Sequence, residues 1–151
     1  MKKKVIVIGG GWSGIAAAIA AKKCGAKATI LEKTDLLLGL GNVGGIMRNN
    51  GRYTAAEENI ALGASELFEL TDKYARHRNI DFPGHSHATL YDVIKVEPAV
   101  RRLLRDMDIE VRTIARAVDA EYENGSAGKF LKSVTLADGS VIEGDAFVEC
   151  T

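Results

Sequence analysis

The chain has 151 residues, 46% of them hydrophobic, and its 20 Lys and Arg balance 20 Asp and Glu for a formal net charge of zero. That suits one domain with a real core and argues against nucleic-acid or membrane-surface partners, which call for a basic excess. No apolar run reaches spanning length, the run after residues 2–4 is too short for a signal peptide, and Cys24 and Cys150 form no CxxC pair, so a reducing cytoplasm is the expected setting.

In chain order, "KVIVIGGG" is a continuous apolar run ended by glycines, the pattern of a buried parallel strand entering a tight turn. "WSGIAAAIAAKKCG" predicts a helix with Gly25 at its C-terminal cap, and "KATILEK" a second buried strand. Residues 34–52, "TDLLLGLGNVGGIMRNNGR", are rich in Gly and Asn without a steady period, and predict a long loop of the kind that contacts ligands. Residues 53–79 predict a long amphipathic helix broken near Gly63, and residues 80–88 a loop stopped by Pro83 and Gly84. Residues 90–108 predict another helix, with Pro98 at a kink or near a first turn. From residue 109 the period changes to two. Short strands are expected there, separated by the turn signals Asn124-Gly125 and Asp138-Gly139. "DAFVEC" returns to a parallel-type apolar run. The expected fold is α/β, a Rossmann-like parallel sheet with helices and a small antiparallel β-meander, in one domain over residues 1–151.

The chemistry lies in Gly9-Gly10-Gly11-Trp12-Ser13-Gly14, which fits G-x-G-x-x-G. In this pattern the first glycine permits the tight turn, the second lets a pyrophosphate approach the backbone, and the third lets the helix pack on the strand. The helix N-terminus then offers N–H groups and a favourable dipole to phosphate. Glu32, ending the second strand, has the spacing of a carboxylate that accepts hydrogen bonds from a ribose hydroxyl, and it disfavours a 2′-phosphate. The bland reading is a glycine-rich turn with no ligand. Which dinucleotide binds is not decided by these residues.

The stretch "KVIVIGGGWSGIAAAIAAKKCGAKATILEK" resembles the N-terminus of FAD-dependent oxidoreductases of the glutathione-reductase-like superfamily. Glu32-Lys33 is similar to the acid-plus-basic pair common there. "GDAFVECT" resembles the strand leading into that superfamily's A-T-G flavin motif, with Cys150 in place of the usual Ala. The resemblance implies FAD as cofactor, its ADP half held by Gly9, Gly11, Trp12, Ser13, Gly14, Glu32 and Lys33. It also implies that Gly39, Gly44 and Gly45 lie against the pyrophosphate or flavin, and that the backbone of Ala117 or Val118 contacts adenine. Since the glycine of A-T-G and a substrate domain are absent, the expectation is an incomplete flavoprotein domain. A missing C-terminal part or a second chain would complete it, and an uncovered last strand could pair with another copy. The alternatives are a non-catalytic dinucleotide-binding module and an NAD-binding dehydrogenase domain.

Other residues weigh less. His85 and His87 form H-x-H with His77 upstream, but no Cys or carboxylate cluster completes a site, so no metal is expected. Cys24 is expected to be a buried core thiol, and Cys150 a buried strand thiol or, near a flavin, a redox thiol. Arg48 and Arg52 could pair with an anion or stay solvated, while Glu57 and Glu58 suit a helix start. Trp12 packs beside the cofactor or against the loop. No residue stands out as a catalytic acid or base, as suits chemistry carried by a flavin ring.

Overall fold

Alternate residues of the first strand serve two different layers. The computed structural model describes residues 1–46, 48–49, 60–126 and 128–151. In it β1 (Lys4–Ile8) lies inside a four-stranded sheet with β2 (Lys27–Leu31), β6 (Glu110–Arg112) and β10 (Ala146–Glu149). The order is β10-β1-β2-β6 and every pairing is parallel. Val7 and Ile30 join the core on the helical side, with Ile15 and Ile19 of α1 (Trp12–Lys23) and Val96, Val100 and Leu104 of α4 (Val93–Asp106). Ile6 and Leu31 face the other way, onto Val134, Leu136 and Ile142 of the antiparallel meander β7 (Ala117–Gly125), β8 (Gly128–Leu136) and β9 (Val141–Glu143). The two-residue alternation of a strand thus splits one apolar run between two cores.

The helices end as their sequences direct. Gly25, at φ 87, follows α1, and the Gly25 and Ala26 amides donate back to Lys22 and Ala21 in a Schellman motif. Helix α4 ends alike, with Asp108 at φ 54 in the glycine position. Lys22 joins the two ends, donating at 2.7 Å to the Asp108 carboxylate, which this bond holds below the usual carboxylate range.

Several expectations needed correction. Within residues 53–79, the described part holds a wide turn, Ile60–Ala64, with Gly63 at φ 102, and then helix α3 (Ser65–Asp72). Residues 53–59 are outside the described set. From Ala75 the chain is strand β4 (Ala75–Phe82), which turns through Pro83-Gly84 into β5 (His85–Tyr91). The expected loop at residues 80–88 is therefore a hairpin, and the helix expected from residue 90 begins at Val93. Antiparallel pairing with β5 gives β4 a ladder, whereas the exposed Arg76, His77 and Arg78 supply no apolar helix face. Asp92 caps α4 by accepting the Ile94 amide at 3.1 Å. Pro98 sits inside that helix. The loop of residues 34–52 contains a short helix, α2 (Gly39–Asn42), and a strand, β3 (Arg48–Asn49), that pairs with β5. β6 belongs to the parallel sheet and not to the meander. Cys24 is exposed, not core, because it caps the solvent end of α1.

Candidate functional site

Strands running parallel place all their C-terminal ends on one side, and a crevice opens where the connections leave a strand in opposite directions. Here that strand is β1, with β2 on one side and β10 on the other. A cavity of about 540 Å³ lies at that point, bounded by Gly9 and Gly11 after β1, Glu32 and Lys33 after β2, and Cys150 and Thr151 after β10. Gly39 and Gly44 line it from the glycine-rich loop, and Ala117 from the start of the meander. Its size suits a nucleotide-type ligand.

The three motif glycines differ in what surrounds them. Gly9 has φ 105, and a Cβ there would lie 2.6 Å from the Cys150 carbonyl oxygen. A Cβ on Gly14 would lie 1.9 Å from the Gly9 oxygen. Both positions are closed by the protein itself. Gly11 differs: a Cβ there would meet nothing within 4 Å, so the space before it is open and faces the cavity. Gly11 is also the N-cap of α1 and offers no side-chain cap, and the first turn carries no acidic residue. Among the described residues, no side chain caps these N–H groups and no acid in the first turn meets the positive dipole end.

Glu32 is 5% exposed, and its carboxylate is already well bonded. Oε2 accepts the Gly10 amide at 2.7 Å, and Oε1 accepts the Thr34 amide at 2.8 Å and the Thr34 hydroxyl at 2.9 Å. The acid therefore fixes the glycine turn as well as facing the cavity. Lys33 and Arg116 are both exposed, line the cavity and make no ion pair among the described residues. Their charge favours a phosphate-bearing ligand.

Of the residues singled out in the sequence, Gly9, Gly11, Glu32, Lys33, Gly39, Gly44 and Ala117 come together around this cavity. Gly14 supports it from behind. Trp12 does not line it but packs on the rings of Phe68, at 5.7 Å, and Tyr91, at 5.4 Å. Ser13 is exposed and Gly45, at φ 70, lies outside the lining. Val118 faces a separate cavity shared with Tyr122 and Phe147. Cys150 is partly exposed rather than buried and belongs to the lining. Arg48 lies in β3. Arg52, Glu57, Glu58 and the side chains of His85 and His87 are outside the described residues, and His77 is exposed on β4. Among the described residues no three His, Cys, Asp or Glu side chains are grouped to hold a metal, and no helix is long and apolar enough to cross a membrane.

Sequence reasoning missed Gly10 and Arg116. A Cβ on Gly10 would lie 2.7 Å from Leu37 Cδ2, a demand made by a distant loop. Arg116 reaches the cavity because the Ile114 and Ala115 amides donate to the Thr34 and Glu32 carbonyls, at 2.9 and 2.8 Å. No local pattern signals either.

The model of the FAD dependent oxidoreductase family matches residues 4–151. The chain belongs to that family. Its cofactor is FAD, and the open space at Gly11 and the uncapped start of α1 fit that group. No curated protein matches the sequence. Among solved structures, the chain is similar to Thermovibrio ammonificans THI4, at 16% identity and TM-score 0.69, covering 99% of this chain and 57% of that one. It is similar to a mutant of 2-methyl-3-hydroxypyridine-5-carboxylic acid oxygenase, at 19% identity and TM-score 0.66, covering 97% and 39%. It is also similar to the Diels-Alderase PyrE3 of pyrroindomycin biosynthesis, at 21% identity and TM-score 0.65, covering 99% and 32%. These likenesses establish the Rossmann-like FAD-binding fold. The chain spans between about a third and three-fifths of the length of these three.

Proposed function

We propose that this chain is the FAD-binding part of a flavin-dependent oxidoreductase of the glutathione-reductase-like kind, and that it holds the ADP half of FAD across the glycine turn. The observation that carries the reading is Gly11, a motif glycine that no described residue crowds, standing open at an uncapped helix start. In this reading the N–H groups at the start of α1 bind the pyrophosphate. Glu32 holds the Gly10 amide in place and turns its remaining acceptor capacity to the adenosine ribose. Lys33 and Arg116 neutralise phosphate charge at the rim, and Ala117 offers backbone to adenine. When bound, the flavin supplies the hydride or electron chemistry. A second chain or a further domain would supply the substrate side, and a cytoplasmic setting agrees with the unpaired cysteines.

The test is a visible absorption spectrum of the purified chain after mixing with FAD and desalting. A retained flavin band supports the reading. A colourless protein overturns it for this chain.

A further inference from the structure

Two side chains of α4 reach the glycine-rich loop without lining the cavity. Glu97 is nearly buried, its side chain 7% exposed, and a carboxylate so placed is costly unless it is paired and bonded. Its Oε1 accepts Arg101 Nε at 2.6 Å and the Leu37 amide at 3.2 Å. The same guanidinium donates through Nη2 to the Asp35 carbonyl at 2.5 Å. One ion pair thus grips the carbonyl at residue 35 and the amide at residue 37.

The gripped segment is under strain and sits directly on the dinucleotide turn. Leu38 has φ 72, an unfavourable conformation for a residue with a Cβ. Its amide donates to the Gly10 carbonyl at 2.9 Å, and Leu37 and Leu38 are wholly buried. A Cβ on Gly10 would lie 2.7 Å from Leu37 Cδ2, and one on Gly39 would lie 3.6 Å from Gly11 Cα. A physical path therefore runs from α4 through residues 35–38 to Gly10 and Gly11.

We propose that Glu97 and Arg101 are positioning residues for the FAD site: their ion pair clamps residues 35–38 onto the glycine turn and so sets how tightly the cofactor is held. This rests on the cavity being the FAD site. Removing Arg101 leaves Glu97 buried with one backbone partner. The clamp then opens locally, while the strands, which bond to one another, stay closed.

The test compares the full chain with its Arg101→Ala, Glu97→Gln and Arg76→Ala variants. Arg76→Ala breaks an ion pair with Asp92, whose side chain is 11% exposed, and neither residue lines the cavity. Amide hydrogen exchange is measured without FAD, and the FAD dissociation constant by titration. Arg101→Ala is expected to speed exchange at Leu37 and Leu38 about tenfold, with the Val7 and Ile30 amides unchanged. It should also weaken FAD about tenfold. Glu97→Gln, which keeps an acceptor for Leu37, falls between it and the parent, and serves alone should Arg101→Ala not fold. Arg76→Ala should change neither quantity. Exchange that rises uniformly, or not at all at Leu37 and Leu38, overturns the clamp. A local rise with unchanged FAD affinity overturns the link to the cofactor. If the parent chain binds no FAD, the reading of the cavity falls, and the exchange pattern still decides the clamp.

Discussion

The two glycine-rich segments, residues 9–14 and 39–45, meet at one cavity but are held in different ways. The first is closed by backbone against backbone at Gly9 and Gly14, with the Glu32 carboxylate holding the Gly10 amide between them. The Cys150 carbonyl fills the space beside Gly9, and the Gly9 carbonyl fills the space beside Gly14. The second depends on side chains from elsewhere: Leu38 is turned to φ 72, and the Glu97–Arg101 pair reaches its preceding residues from α4. A backbone contact tolerates almost no change at its own position. A side-chain clamp is exposed to substitution far along the chain.

The largest effect that would break this comparison is at Gly14. Gly14→Ala puts a carbon 1.9 Å from the Gly9 oxygen, and should destabilise the fold by about 3 kcal/mol or more, read from urea unfolding. If it unfolds normally, the first turn is not backbone-locked. Next is Gly11→Val. Gly11 has φ −73, which any residue adopts, and open space before it. Stability should fall by about 1 kcal/mol or less, while FAD affinity falls about 100-fold. Equal FAD binding by this variant would place the pyrophosphate elsewhere. Smaller again is Gly45→Ala, at φ 70 with space around it. The backbone strain should cost about 1 kcal/mol and leave FAD affinity unchanged, since Gly45 lies outside the lining.

The smallest effect concerns β10, which backs the first turn. The Asp145 carboxylate accepts the Lys4 amide at 2.7 Å and Lys3 Nζ at 2.9 Å. The Lys4 amide first, and then Lys3, hold it below the usual carboxylate range. A carboxylate lowered in the folded state stabilises above its unfolded pKa, near 4, and loses that contribution as pH falls through the lower folded value. The stability gap between the parent and Asp145→Asn should therefore be present at neutral pH and shrink as acid is added. A gap independent of pH would show that the charge is irrelevant there.

Much of the fold was legible because its signals are local. The run "KVIVI" before three glycines, the alanine-rich helix closed by Gly25, and the second strand ending at Glu32 each carry their own period and punctuation. The break at Gly63 and the turns at Asp138-Gly139 were legible for the same reason. Residues 75–91 were not. Arg76, His77 and Arg78 fit a polar helix face as well as an edge strand, and only pairing with β5 decides between them. Val118 and Trp12 were drawn toward the cavity by their position in the sequence, but the packing of the meander and the rings of Phe68 and Tyr91 take them elsewhere.

The sequence by itself therefore determined the glycine turn, the acid that follows it and the parallel strands that carry both, since each depends on residues within about one βαβ unit. Only the tertiary structure decided that Gly11 is the open glycine of the motif and that a side chain at Gly10 would meet Leu37. It alone brought Arg116 to the rim and set Glu97 and Arg101 on the loop. Those facts are contacts between residues far apart in the chain, and no local period records where such partners will meet.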